Sequence, residues 1–466
     1  MGKDGSSTRM TSNRVSEEEL RQLRLALSAS EMAPHLAALI GDRDPGHPIS
    51  DRAICQVVDA KYDPGRSCAV LYRLGDHIVL GRLRWGAGER AGDSEAVVTP
   101  SGVALTLFPG DPALPNLRRA LVPESMAADL ATVLPECRDG MRVVRCTVAP
   151  VRYRPGRRCT LRIRLWLRDS KSDSIITRTL FGKVYHDAAK ATSVFAEMQQ
   201  LAGAAAEHAG GLALAAPAGF LPEVPMVLQR PVRGTPLVEF LGRPGLSSNH
   251  DDRGHKGVVQ AAVALAKLQD LGVSSERERP AAAELEKMAR RARGTAMVNP
   301  DLGTAMGRLV DELSDRHDRL GIAGAEKGLV QGDCKPDQFL IDGPVTTMLD
   351  FDHCGRADPA TDVATFLATL RQLRIRAALK SPRQAAVVEN SRWLVDAHGS
   401  FLDHYCLTRP DSAEFRRRTV WYEAQALLRK AQRGFARSIQ SPLPAELIDE
   451  AGRCLETIPT RGAVAG

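Results

Sequence analysis

The sequence predicts an α+β chain with two lobes, strands first and helices after, and a cleft between them. Three observations carry this expectation. Short apolar runs broken by Pro-Gly turns fill residues 51–188. Helical periodicity dominates beyond residue 188. A loop–hairpin segment rich in chemistry-bearing side chains, residues 329–352, stands inside the helical part.

At 466 residues the chain is too long for one ordinary core, and its apolar content is that of a globular protein. Lys and Arg number 63 against 56 Asp and Glu, a formal charge of +7. That mild excess suits an anionic ligand. No dense Lys/Arg block with interleaved aromatics is present, so nucleic acid is not expected. The nine cysteines show no C-x-x-C pair and read as reduced thiols of a cytoplasmic protein, without a zinc site. No apolar run nears the roughly 20 residues that span a bilayer, and the N-terminus has no apolar secretory core, so no membrane partner is expected.

Residues 1–14 read as a polar, disordered tail. Ser16 then caps a helix, with Glu19 completing a capping box, and Asp42–His47 break it. An internal repeat follows. The segment Cys55–Cys68 recurs 91 residues later as Cys146–Cys159, without a gap. Cys, Val, Tyr, Pro, Gly, Arg and Cys coincide, and Lys61 matches Arg152. Each copy reads as strand, Pro-Gly turn, strand. A third strand follows in both, with Gly81-Arg82 in the first copy and Gly182-Lys183 in the second. Residues 168–174 are a polar insertion in the second copy, and a helix is expected from Pro123 to Leu134. Further helices are expected over 188–206, 258–268, 309–320, 362–377, 384–404, 412–439 and 445–455. Met226–Gln229 reads as a strand, and Arg230–Pro236 as a hinge.

The chemistry concentrates in Leu329-Val-Gln331-Gly332-Asp333-Cys334-Lys335-Pro336-Asp337-Gln338, then two apolar strands around Gly343-Pro344, then Asp350-Phe351-Asp352. This places Asp333 in the loop before a hairpin and Asp350 just after it. Phosphoryl transfer needs a carboxylate to orient the attacking hydroxyl, hard oxygen ligands for a divalent metal, and a lysine on a strand for the phosphates. Asp333, Gln338, Asp350 and Lys183 supply those types in a suitable order.

These residues resemble the aminoglycoside phosphotransferase and choline kinase superfamily, relatives of the protein kinases. Their pattern is His-Gly-Asp-x-x-x-x-Asn, an apolar hairpin, and Ile-Asp-Phe/Trp. The resemblance spans about residues 145–440 and implies a bilobal protein-kinase-like fold binding ATP and Mg²⁺. It implies Asp333 as the catalytic base, Asp350 and Gln338 as metal ligands, and Lys183 as the nucleotide lysine. Lys335 would touch the γ-phosphate, as in protein kinases. Glu197, on the following helix, would pair with Lys183, or else is a solvated helix-face residue. Gln229 and Val232 would contact the nucleotide at the hinge. Asp358 would cap the next helix, and Asp362 would support the catalytic loop. The chain departs from the pattern at Gln331, where His is usual, and at Gln338, where Asn is usual. The glycine-rich phosphate loop is replaced by Pro155-Gly156-Arg157-Arg158, whose guanidiniums can hold phosphate oxygens.

Four regions follow: a tail and helix, 1–50; a degenerate N-lobe-like repeat, 51–140, non-catalytic because Arg82 replaces the lysine; a nucleotide-binding N-lobe and hinge, 141–235; and a helical C-lobe, 236–466. The expected function is transfer of the γ-phosphate of ATP to a hydroxyl of a small molecule, such as a sugar. Basic residues 416–418, 429, 430, 433 and 437 favour a neutral or anionic acceptor over a polycationic one, or else form a solvated helix face. The alternative is a nucleotide-binding pseudokinase acting as a regulatory or interaction module. The sequence leaves the oligomeric state open.

Overall fold

The computed structural model describes residues 15–47, 49–50, 52–85, 95–208, 210, 212–241, 248–380, 392–407 and 413–458. The expected tail, 1–14, lies outside them. The chain divides into two compact units. One comprises Met1–Phe108, Lys287–Val310 and Gln432–Ser441, the other Pro109–Glu286, Asp311–Ala431 and Pro442–Gly466.

The first unit opens with α1 (Glu17–Leu27) and α2 (Ala29–Arg43). One helix was expected here. Ser28 breaks it, because its extended backbone and its hydroxyl, which accepts from the Glu31 amide at 3.3 Å, cap α2. Strands β1 (Cys55–Asp63), β2 (Ser67–Leu74), β3 (His77–Arg84), β4 (Val97–Val98) and β5 (Ala104–Leu107) form an antiparallel sheet in the order β1-β2-β3-β5-β4. Leu23, Ala26, Leu36 and Ile40 of the helices and Val70, Tyr72 and Val79 of the sheet are buried. The Tyr72 hydroxyl donates to the Ala26 carbonyl at 2.5 Å. Ser16 caps α1 as expected, but Glu19 does not complete a capping box. Its buried carboxylate instead accepts from the Tyr62 hydroxyl at 2.7 Å and the Gly65 amide at 2.9 Å. Glu19 thereby fixes the first Pro-Gly turn.

The second unit begins with α3 (Leu117–Leu121), α4 (Pro123–Val133) and α5 (Pro135–Arg138). Residues 109–140 cluster with the strands that follow them, and α4 packs against the next strand. Strands β6 (Met141–Arg154), β7 (Arg158–Asp169) and β8 (Ile175–Tyr185) form a meander; the polar insertion is its second turn. Then come α6 (Ala188–His208), β9 (Leu212–Leu214), β10 (Pro217–Leu221) and β11 (Met226–Gln229). This sheet runs β6-β7-β8-β11-β10. Cys159, Leu161, Ile163, Leu165 and Leu167 alternate inward along β7, while Arg162, Arg164 and Arg168 alternate outward. The Arg145 and Arg164 guanidiniums each lie over the Trp166 ring.

The helical part follows, with β12 (Thr235–Pro236), α7 (Leu237–Leu241), α8 (Ser248–Gln269), α9 (Ala281–Ala296) and α10 (Pro300–Arg319). Helix α9 was not expected from the sequence. Next come β13 (Gly328–Val330), β14 (Phe339–Asp342), β15 (Val345–Met348), β16 (Gly355–Ala357) and α11 (Ala360–Lys380). The chain ends in α12 (Arg392–Cys406), α13 (Ala413–Arg437) and α14 (Leu443–Glu456). Of the helix expected over 384–404, residues 384–391 lie outside the described residues. The expected hairpin is β14–β15, within a sheet ordered β12-β14-β15-β9. Phe339 and Met348 face each other across it, and Phe339 meets Phe366 of α11 edge-on at 5.7 Å. Phe366 in turn stacks on Phe401 of α12. That aromatic column ties the hairpin to the helical core and holds both of its ends in place.

Candidate active site

The loop Gln331–Gln338 connects β13 to β14, and three contacts fix it. The fully buried Asp362, in the first turn of α11, accepts from the Gln331 amide at 2.6 Å and the Gly332 amide at 2.8 Å. Burial pushes its carboxyl up to about 6, against the pull of those two donors. Gln331 donates to the Leu349 and Asp350 carbonyls, while its own amide oxygen accepts from the Asp333 N–H at 2.8 Å. Glutamine thus joins the two aspartate segments at a position where the resemblance has histidine. Gly332 sits at φ +82°, and an added Cβ would overlap the His353 carbonyl. Asp358 accepts from the Ala360 amide at 3.0 Å at the start of α11 and also from Arg418.

Asp333 is mostly buried and accepts from Lys335 Nζ at 2.7 Å; Asp337 lies 3.8 Å from the same ammonium. Gln338 is buried, and its carbonyl accepts from the Leu349 amide, which places it beside the strand leading to Asp350. Asp350 adopts a left-handed backbone, φ +59°, unusual for a non-glycine residue and found at constrained sites.

Both oxygens of Asp350 have cationic partners. Lys183 Nζ is 3.0 Å from Oδ1, and Arg158 Nη2 is 3.2 Å from Oδ2. Lys183 also reaches Asp352 Oδ1 at 2.7 Å, the Tyr185 hydroxyl donates to that oxygen at 2.8 Å, and Arg158 pairs with Asp352 as well. Burial works to raise the Asp350 carboxyl, but Lys183 and Arg158 outweigh it and hold it well below the usual range. Burial pushes the Lys183 ammonium down to about 8 despite its partners.

The structure corrects two expectations about this cleft. Glu197 does not pair with Lys183. Its carboxylate accepts from Arg277 Nη2 at 3.1 Å and from the Ser275 hydroxyl. The same guanidinium donates to the Asp352 and Cys354 carbonyls, so Arg277 links α6 to the segment after Asp350. Arg157 is exposed and makes no ion pair with the aspartates, while its neighbour Arg158 meets them. Strand alternation explains the split. Register pairs Arg158 with Tyr185 and Thr160 with Lys183, so these four share a face that Arg157 cannot join. Gln229, at the end of β11, donates to the Ala215 carbonyl, and Val232 is half-buried in the hinge after it.

Several site residues carried no sequence signal. Arg277 and Arg279 lie in an irregular segment before α9, and Arg279 donates to the Gly332 and His353 carbonyls. Lys190 of α6 donates to the Asp352 carbonyl. Arg154 could have been found by parity, because a tight turn puts it opposite Arg158. Three of the basic residues expected to favour an anionic acceptor bond within the fold. Arg418 bonds Asp358 and Glu414, Arg429 bonds Thr365, and Lys430 bonds Thr369 and Gln372.

Among the described residues no three His, Cys, Asp or Glu side chains gather to hold a metal by themselves. Asp350 and Gln338 are hard oxygen donors, a partial set of the kind that a divalent ion completes with phosphate oxygens. No helix among the described residues is long and apolar enough to cross a membrane.

Comparison with solved structures gives broad, low-identity likenesses. A glucosamine kinase in complex with glucosamine, ADP and inorganic phosphate aligns at 15% identity, covering 90% of this chain and 98% of that one, with a TM-score of 0.45. A choline kinase from Streptococcus pneumoniae aligns at 10% identity, covering 72% and 98%, with a TM-score of 0.44. An aminoglycoside phosphotransferase from Streptomyces rimosus aligns at 20% identity, covering 60% and 92%, with a TM-score of 0.36. Likeness at this level assigns no substrate. No curated protein matches the chain. The family model described as "Phosphotransferase enzyme family" matches residues 164–389. That stretch, just under half of the chain, holds Lys183, Asp333 and Asp350 and is similar to the phosphotransferase enzyme family.

Proposed function

We propose that this chain transfers the terminal phosphoryl group of ATP to a hydroxyl of a small molecule. The observation that carries the reading is the convergence of Lys183, Arg158 and Asp350 in one cleft wall, with Asp333 held on the loop that Gln331 ties to the Asp350 segment. Asp333 is the base: it orients the acceptor hydroxyl and takes its proton as the oxygen attacks the γ-phosphorus, whose bond to the bridging oxygen breaks to release ADP. Lys335, 2.7 Å from Asp333, neutralises charge on the phosphoryl group in flight. Lys183 and Arg158 hold phosphate oxygens once the nucleotide is bound. Asp350 and Gln338 would hold a divalent ion, whose chemistry is to neutralise and orient the phosphates. Gln229 and Val232 border the adenine side, at the hinge. Glu197 acts on α6 through Arg277 and makes no contact with the nucleotide. The first sheet, with Arg82 in place of the lysine, is non-catalytic.

Asp333→Ala is expected to lower phosphoryl transfer roughly 10²- to 10⁴-fold while nucleotide affinity changes little. The assay is labelled γ-phosphate ATP with a panel of sugars and amino alcohols, paired with calorimetric nucleotide binding. Transfer at the parent rate in the variant would remove Asp333 from the role of base.

A further inference from the structure

One charge in the cleft is unanswered. Arg154 closes β6 and pairs in register with Arg158, which opens β7, so two guanidiniums stand directly opposite each other on one face of the sheet. Like charges in that arrangement destabilise a sheet. Arg158 is compensated by Asp350 and Asp352. The Arg154 guanidinium is half-buried and has no carboxylate partner among the described residues. Its environment is unfavourable: burial, with Arg158 and then Arg152 adding to it, pushes the group down to about 10, against the weaker pull of Asp350 and Asp333. A cation kept in such a place without a partner marks a position where an anion binds.

The surrounding structure fixes that position. Arg154 and Arg158 flank the Pro155-Gly156 turn, which is held from behind: Asp111 accepts from the Tyr153 hydroxyl and from the Gly156 amide, both at 2.7 Å. Gly156 takes φ +67°, so the turn reverses within two residues and points both arginines the same way. Asp111 is itself buried. The pair is therefore rigidly aimed, as an anion site requires.

We propose that Arg154 and Arg158 form a two-guanidinium clamp for the terminal phosphates of a nucleoside triphosphate. The proposal rests on the phosphotransferase reading for the identity of its ligand. Arg154 is open before the nucleotide arrives. Arg158 exchanges Asp350 and Asp352 for phosphate oxygens, which frees a carboxylate oxygen of Asp350. The clamp replaces backbone amides with side chains: planar guanidiniums take two phosphate oxygens each and keep their charge at any physiological pH.

The test is calorimetric binding of three probes in magnesium buffer to the parent, Arg154→Ala and Arg154→Lys: adenosine, inorganic tripolyphosphate, and a non-hydrolysable ATP analogue. Arg154→Ala should weaken tripolyphosphate and the analogue by roughly 10- to 100-fold and leave adenosine unchanged. Arg154→Lys should recover part of the loss. Because the substitution removes a like-charge neighbour, the melting temperature should hold or rise. Triphosphate binding within about twofold of the parent, or a parallel loss of adenosine, would overturn the clamp. If the parent binds the analogue and Arg154→Ala binds it equally well, the clamp fails and the nucleotide reading stands. If tripolyphosphate depends on Arg154 but the analogue binds no more tightly than tripolyphosphate, the clamp stands and the nucleotide reading fails. A parent that binds neither would overturn both.

Discussion

In the first sheet Gly81 faces Val70 and Arg82 faces Ala69; in the second, Gly182 faces Leu161 and Lys183 faces Thr160. The partners Val70 and Leu161, like Ala69 and Thr160, are 91 residues apart, the spacing of the sequence repeat. Both sheets add an outer hairpin to the third strand, so their orders, β1-β2-β3-β5-β4 and β6-β7-β8-β11-β10, correspond strand for strand. Both fix the Pro-Gly turn alike, with one buried carboxylate oxygen accepting a tyrosine hydroxyl and a glycine amide: Glu19 in the first, Asp111 in the second. Both third-strand glycines are needed for space. A Cβ on Gly81 would come 2.7 Å from Tyr72, and one on Gly182 would overlap Met226. The difference lies between the third strand and the hairpin. The second sheet inserts α6, 21 residues long, whereas the stretch from Arg84 to Val97 is shorter than that helix alone. The scaffold of a phosphate-facing turn can therefore recur without the chemistry. On the proposed reading the chemistry needs Asp333 and Asp350, which come from a loop and a hairpin of the second unit.

The largest expected effect tests that division directly. Lys183→Met removes the ammonium shared by Asp350 and Asp352, and transfer should fall roughly 10²- to 10⁴-fold. Arg82→Met, at the matching register, should leave the rate within about twofold, because no phosphate site is assigned to its sheet. Initial rates at saturating nucleotide, with thermal melts as a fold control, decide it. A comparable loss in Arg82→Met would break the comparison and bring the first sheet into the reaction.

The next effect separates scaffold from site. Glu19→Ala and Asp111→Ala each leave a tyrosine hydroxyl and a glycine amide without their buried acceptor, and each should destabilise its unit by about 2–4 kcal/mol. Only Asp111 aims a turn that carries Arg154 and Arg158. Asp111→Ala should therefore also weaken triphosphate binding by about tenfold or more, as misplacement of binding groups does, and Glu19→Ala should not. Denaturant midpoints and calorimetric titrations measure the two consequences separately. Equal binding losses would mean that the turns are coupled in a way their separate hydrogen bonds do not explain.

How much of this was legible in the sequence depended on the range of the signal. The meanders, the β14–β15 hairpin and the helices α11, α13 and α14 are local patterns of alternation and periodicity and stand where expected, whereas α10 begins at Pro300, nine residues before the helix expected over 309–320. Asp333 and Asp350 were legible because the loop and hairpin carrying them are contiguous. Glu19 and Asp111 were not, because each acts on a turn more than forty residues away in sequence. The same holds for Arg277: nothing in Ser275–Arg279 shows that one guanidinium will join Glu197 of α6 to the carbonyls after Asp350. Lys183 was placed correctly on its strand but assigned the wrong carboxylate, since pairing depends on how the helix and the Asp350 segment approach. The outward arginines of β7 escaped notice because alternation disperses along the chain what the sheet gathers on one face.

The smallest effect asks whether the two turns are held with equal strength. Tyr62→Phe and Tyr153→Phe keep the buried ring and delete one hydroxyl, leaving the carboxylate with its glycine amide. Each should lower stability by about 1–2 kcal/mol, the worth of one hydrogen bond to a charged acceptor. Variants retaining Trp85 or Trp166 as the single tryptophan let fluorescence follow each unit in denaturant, since Trp85 packs edge-on against Tyr62 at 5.9 Å and Trp166 lies on β7. Phenylalanine keeps the ring contact with Trp85, so the comparison isolates the hydroxyl. Values agreeing within about 0.5 kcal/mol would show that the carboxylate anchor of the turn is one device used twice. A negligible effect at Tyr153 alone would mean that the second turn is held chiefly by the Gly156 amide. The aim of Arg154 and Arg158 would then depend on the backbone of the turn rather than on the tyrosine that the two copies share.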